Sequence, residues 1–158
     1  MQSMHCQTSD PKDIVVQLQE SLQLGSGFLE NPEPKTKQWI RCLAIKAKSE
    51  HRTDVVEYLR QIAPAGTTGP LLSEDLDVRR IPFPQRKNLT FSLSGGDEWK
   101  LLAERLGLSQ IDIRFLDARV RNPCDVVLGT VGNHRYLSVG EFYDTLVDCE
   151  LPAIADLM

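Results

Sequence analysis

The second half of the chain is divided into short segments by signals for helix starts and stops. In "GGDEWKLLAERLGLSQIDIRFLDARVRNPCDVV", residues 95–127, an Asp, a Ser and an Asn-Pro pair each stand where a helix can begin, and Gly107 stands where one ends. Each capping side chain satisfies backbone N–H groups and contributes ~1 kcal/mol. Closely spaced caps predict short helices with brief loops, which pack as a compact antiparallel bundle rather than a coiled coil.

Apolar residues recur at helical spacing after each of these starts. After Asp97, four apolar residues follow at the helical spacing i, i+3, i+4 and i+7: Trp99, Leu102, Ala103 and Leu106. This spacing places Trp99 on the core face of its helix, so we expect it to be buried.

Two further starts carry fuller capping signatures. Ser109 is followed three residues later by Asp112, and Ser138 with Glu141 forms a capping box. Asn122 with Pro123 begins a helix between them. Residues 83–158 thus give about six helical elements, with no convincing strand alternation and no repeat of solenoid length.

Helical patterns also occur before residue 64. Asp10 with Pro11 starts one that ends at Gly25, and two more run from about Thr36 to Ala47 and from about Thr53 to Ile62. Residues 63–70 are rich in helix breakers. We therefore predict an all-α protein with a helical N-terminal segment over 1–64, a linker over 65–80 and a bundle over 81–158. Trp39 can be either a core residue or an anchor for a partner.

Composition excludes several classes of function. The 158 residues carry a net charge of −4, so nonspecific nucleic-acid binding, which needs a surplus of Lys and Arg, is not expected. No apolar run approaches the ~20 residues that span a bilayer, so we expect no membrane insertion. The N-terminus lacks the pattern of a signal peptide. We therefore predict a cytoplasmic protein with reduced cysteines and no glycan at Asn88.

Motifs that carry catalysis are missing from the sequence. The phosphate-binding glycine loops, G-x-S-x-G, H-E-x-x-H and C-x-x-C do not occur. A nucleophile pair between Cys124 and His134 is conceivable, since the two could meet in a fold. On balance we predict no enzyme, and with it no catalytic residues, no cofactor and no metal site.

The motif "DEWKLLAERL" introduces a family resemblance. Residues 81–158 resemble a death domain, the six-helix antiparallel bundle of the death-fold superfamily, whose second helix has the form D-W-x-x-L-A-x-x-L. "IDIRFLDARVRNPCDVVLGTV" and "SVGEFYDTLVDCELPAIADLM" are similar to the later helices of the Toll-receptor myeloid-differentiation adaptor. "IPFPQRKNLTFSL" resembles the first helix in netrin receptors of the uncoordinated family. Residues 10–64 resemble the helical tail of the tandem death domains in the metastasis-associated-in-colon-cancer protein, which implies a remnant or an adjunct of a preceding domain.

The resemblance implies a function in intracellular signalling, in apoptosis or innate immunity. It implies an adaptor that binds other death-domain proteins, or further copies of itself, through charged helix faces. The candidate binding residues are Arg114, Asp117, Arg119 and Arg121 around the third helix of the bundle, Asp97, Glu98 and Glu104 on the second, and Asp144, Asp148 and Glu150 at the end of the fifth. Charge complementarity in such contacts sets register and association rate more than affinity.

Two other classes of function stay open at this point. The bundle could be a structural or autoinhibitory module of a scaffold or trafficking protein, or the chain could be an enzyme without a recognisable motif. Each charged residue named above can also be an ordinary solvent-exposed side chain with no binding role.

Overall fold

The computed structural model describes residues 34–158, with side chains from residue 37 onward. The chain divides into two compact units, one ending at Thr68 and the other covering Gly69–Met158. The helix predicted from Asp10 to Gly25 lies outside the described residues.

The described residues are helical, which confirms the all-α class. Within residues 34–158 there is no β-strand, and the only strand-like pairing is an isolated bridge between Asp77 and Ser138. A 3₁₀ helix at Val78–Arg80 precedes the bundle. The α-helices are α1 Pro34–Ser49, α2 Thr53–Ile62, α3 Phe83–Ser94, α4 Glu98–Arg105, α5 Gln110–Arg119, α6 Pro123–His134, α7 Val139–Asp148 and α8 Pro152–Ala155.

The first unit contains the hairpin of α1 and α2. The turn places His51 in the left-handed region, with φ 59°, and the N–H of Arg52 donates to the Ala47 carbonyl at 2.7 Å. The two helices bury one apolar face each, formed by Ile40, Ala44 and Ala47 on α1 and by Val55, Val56 and Leu59 on α2. Both predicted helices are confirmed. Trp39 is 51% exposed, so its interpretation as a core residue is wrong.

The second unit contains the six helices α3–α8. Its core is built around Trp99, Phe142 and Tyr143, which are almost completely buried. Every helix adds apolar side chains to the same cluster, because the i, i+3, i+4 spacing gives each of them one inward face. The predicted number of elements after residue 83 and the burial of Trp99 are therefore confirmed.

Capping side chains fix three of the six helix starts in the second unit, those of α5, α6 and α7. The hydroxyl of Ser109 accepts a hydrogen bond from the Asp112 N–H at 3.2 Å, and that of Ser138 accepts one from the Glu141 N–H at 3.1 Å. Asn122 caps α6 in the same way. Asp97 precedes α4 but makes no capping hydrogen bond. The expectation of a cap there is wrong, because its carboxylate instead forms an ion pair with Lys100.

Residues 71–81, which we name the strap, form part of the second unit. The Val139 N–H donates to the Leu76 carbonyl at 2.7 Å, and the Val78 N–H donates to the Leu137 carbonyl at 3.0 Å. The division between the units after Thr68 falls inside the predicted linker 65–80. Most of that segment, from Gly69 onward, therefore belongs with the bundle.

Glycines in α6 and α7 allow the strap to lie close to the helices. A Cβ atom at Gly132 would come within 2.7 Å of the Arg79 side chain. A Cβ at Gly140 would come within 3.1 Å of the Glu74 carbonyl oxygen and still closer to its carboxylate. The close approach of the strap backbone at Glu74 therefore depends on the missing side chain of Gly140, whereas a larger residue at position 132 would displace only the Arg79 side chain.

Candidate interaction surface

Helix α5 carries apolar residues on two faces rather than one. Ile113 and Leu116 point into the core and are buried. Ile111 and Phe115, one turn apart on the other face, are 79% and 59% exposed. These side chains stay in contact with water when the isolated unit folds, so their apolar surface does not stabilise it. The outward face of α5 is therefore a candidate for contact with another molecule.

Basic side chains surround the exposed apolar residues of α5. Arg114, Arg119 and Arg121 are all exposed. The Arg119 guanidinium lies 5.5 Å from the centre of the Phe115 ring, which is a cation–π contact. We name this set the basic face: Ile111, Arg114, Phe115, Arg119 and Arg121.

Lys100 on α4 forms ion pairs with two of the predicted binding residues. Its Nζ lies 2.9 Å from Asp117 Oδ2 and 3.1 Å from Asp97 Oδ1. The hydrogen bond to Asp117, and next the one to Asp97, raise the pKa of Lys100. The structure thus brings Asp97 and Asp117 together around one ammonium group. Glu98 and Glu104 are exposed on α4.

The opposite charge is concentrated at the end of α7. Residues 136–158 contain five acidic residues and neither Lys nor Arg. Asp144 and Asp148 lie on the exposed face of α7, and Glu150 is exposed just after it. Carboxylates are unfavourable near a helix C-terminus, because the helix dipole is negative there. We name Asp144, Asp148 and Glu150 the acidic side.

Apolar residues follow the acidic side directly along the chain. Leu151 and Ile154 are half-buried against the core, and Leu157 is 42% exposed. The end of the bundle therefore resembles the basic face in that partly exposed apolar residues stand near charged ones. Helix α4 packs against both α5 and α7, so it lies between the two surfaces.

The structure separates the residues considered as a nucleophile pair. Cys124 is in the first turn of α6 and His134 is its last residue, so about 15 Å of helix lies between them. Burial raises the pKa of the Cys124 thiol to about 12, which keeps it protonated and unreactive. His134 is exposed, and its Nδ1 lies 2.8 Å from the Thr130 carbonyl oxygen. The two residues cannot act together.

Clefts, buried polar atoms and clusters of metal-ligating side chains are the other features of the described residues that bear on ligand binding. A cleft of about 330 Å³ is lined by Leu106, Leu108, Asp112, Val131 and His134. Among the side chains described, from residue 37 onward, every buried nitrogen and oxygen has a hydrogen-bond partner. The same residues contain no cluster of His, Cys, Asp or Glu that could hold a metal ion.

None of the helices over residues 34–158 combines the length and the apolar character that crossing a membrane requires. Comparisons of the chain with protein-family models, with curated proteins and with solved structures gave no match.

Sequence reasoning missed the outward apolar residues of α5. The helix carries two interleaved apolar patterns, one through Ile113 and Leu116 and one through Ile111 and Phe115. The second pattern is visible in the sequence. Two apolar faces on one helix indicate only that one of them stays exposed, and not which one. A comparable exposed stripe on α3 has Phe83 73% and Phe91 55% exposed, with Lys87 stacked on Phe91.

Proposed function

We propose that the second unit is a protein–protein interaction module with the arrangement of a death domain, which assembles with copies of itself or with related bundles. The basic face is the observation that carries the proposal. It offers an apolar centre at Ile111 and Phe115 and a charged border at Arg114, Arg119 and Arg121. Protein interfaces share this design, with an apolar core inside a polar rim.

Several features of the bundle support this class of function over catalysis. Six short helices around Trp99 leave a surface of ions and apolar patches, whereas the two residues considered for nucleophilic chemistry lie far apart. Both charge signs on one small body permit head-to-tail assembly. Such a module would take part in intracellular signalling by recruiting other bundles of its kind.

The proposal includes a location in the cytoplasm. Cys42, Cys124 and Cys149 are free thiols in the structure, and two of the three are buried. Reduced thiols are the usual state in that compartment.

The test is the mass of the purified chain by light scattering over a range of protein and salt concentrations. We expect concentration-dependent oligomers that dissociate as salt rises, because exposed charges are screened over ~8–10 Å near physiological ionic strength. The Arg119→Glu/Arg121→Glu variant should remain monomeric with unchanged helix content by circular dichroism.

A matched control is Arg80→Glu/Lys87→Glu, which makes the same change in net charge on two other exposed residues of the second unit. This control should assemble like the wild type. A wild-type chain that stays monomeric in every condition would contradict the proposal and favour a structural or autoinhibitory module.

A further inference from the structure

We propose that the basic face of one copy docks on the acidic side of a second copy, so that the chain assembles head to tail. This inference rests on the proposed function, and it names the partner surface that the basic face requires. It concerns the contact between α5 of one copy and the end of the bundle formed by α7 and α8 in the next.

Charge complementarity identifies the occupant. The basic face presents Arg114, Arg119 and Arg121 around its apolar residues, and the acidic side presents carboxylates over a stretch with no Lys or Arg, residues 136–158. Like charges placed opposite each other repel, which disfavours the pairing of either surface with its own equivalent across a two-fold axis. The complementary pairing is therefore between unlike surfaces of two copies.

The apolar residues of the two surfaces also match. Ile111 and Phe115 lie beside the arginines, and Leu151, Ile154 and Leu157 follow the carboxylates of Asp148 and Glu150. Placing one patch on the other removes apolar surface from water, which supplies affinity, while the ions fix the orientation.

Asp148 is not placed to stabilise α7 through the helix dipole. The last turn of α7 contains no basic residue, and Asp148 stands at the negative end of the helix dipole. A contact with arginines from another copy adds favourable charge there, beside Arg105 of α4, which lies close enough to act on the neighbouring Cys149. Because a head-to-tail dimer leaves one basic face and one acidic side unoccupied, on different copies, the assembly can grow beyond a dimer.

A charge-swap experiment tests the pairing. Variant A is Arg119→Glu/Arg121→Glu, and variant B is Asp148→Arg/Glu150→Arg. Glu150 already has a left-handed backbone with φ 63°, so arginine there meets the same strain as glutamate. An arginine at Asp148 complements the helix dipole, so variant B should keep its fold.

Light scattering then gives distinct results. Each variant alone should show at least a tenfold weaker self-association than the wild type, because its two surfaces carry the same sign. An equimolar mixture of A and B should assemble again, since each variant then meets an opposite surface on the other. The Glu50→Arg/Glu57→Arg variant changes the net charge as B does, but in the first unit, and should behave like the wild type.

Different experimental results would contradict the two proposals. A monomeric wild type contradicts the proposed function itself. A wild type that assembles, together with a variant B that assembles equally well or a mixture that stays monomeric, contradicts only the pairing of the two surfaces. If circular dichroism shows loss of helix in either variant alone, the single variants Arg119→Glu and Asp148→Arg repeat the same comparison.

Discussion

At the scale of single residues, Trp99 and Phe115 show what sequence spacing can and cannot decide. Trp99 has one apolar pattern around it, so its burial was predictable and the structure confirms it. Phe115 lies on a helix with two apolar patterns, and only the packing of α5 against α4 and α6 selects the inner one. Trp39 presents the same ambiguity, and its interpretation as a core residue was wrong.

Thiol reactivity provides a residue-scale prediction. The thiolate is the nucleophilic form, and a pKa of about 12 leaves almost no thiolate on Cys124 at pH 8. Burial also raises the pKa of Cys149. Iodoacetamide at pH 8 should therefore label the exposed Cys42 first, as measured by peptide mass spectrometry, and label Cys124 only after denaturation.

The pH dependence of this labelling gives the control. Cys124 should stay unlabelled in the folded chain throughout pH 7–9, since the whole range lies below its pKa. Rapid labelling of native Cys124, at a rate similar to that of Cys42, would show that the core around α6 is open.

At the scale of helices, capping chemistry predicted where α5, α6 and α7 begin, because the capping side chain is local to the helix it starts. Asp97 was the exception. A Lys three residues later on α4 takes its carboxylate, and a pair of Asp residues then shares that ammonium group. The sequence does not show whether such a carboxylate accepts hydrogen bonds from the first N–H groups of the helix or pairs with a nearby lysine.

The difference between Ser138 and Asp97 gives a prediction at this scale. Ser138→Ala removes a capping hydrogen bond and should lower the free energy of unfolding by ~1 kcal/mol. Asp97→Ala removes only an exposed ion pair and should cost less than about 0.5 kcal/mol. Thermal unfolding followed by circular dichroism compares the two variants. A larger loss from Asp97→Ala would mean that its carboxylate caps α4 in solution.

At the scale of the whole molecule, the number of helices in the bundle was predictable, whereas the position of the strap was not. The strap lies on α6 and α7 through backbone hydrogen bonds and through contacts at Gly132 and Gly140. These hydrogen bonds join residues that are about 60 positions apart in the sequence. The strap itself shows no periodic pattern of apolar residues. The polar and helix-breaking residues around the strap therefore indicated a linker.

The separation of charge is also a property of the whole chain. The candidate binding residues could be named from the sequence, but the pairing of both Asp97 and Asp117 with Lys100 requires the packing of α4 on α5. Besides this ion-paired group and the exposed Glu98 and Glu104 of α4, the candidate residues form a basic face on α5 and an acidic side after α7, each beside apolar residues.

Nuclear magnetic resonance of the isotope-labelled chain, at low salt and increasing concentration, tests the central claim most directly. We expect the amide signals of α5, around Ile111 and Phe115, and those of the acidic side, around Asp148, to shift together. The signals around Phe83 and Phe91 on α3 should remain in place. Shifts centred on α3, or spectra that do not change with concentration, would contradict the account.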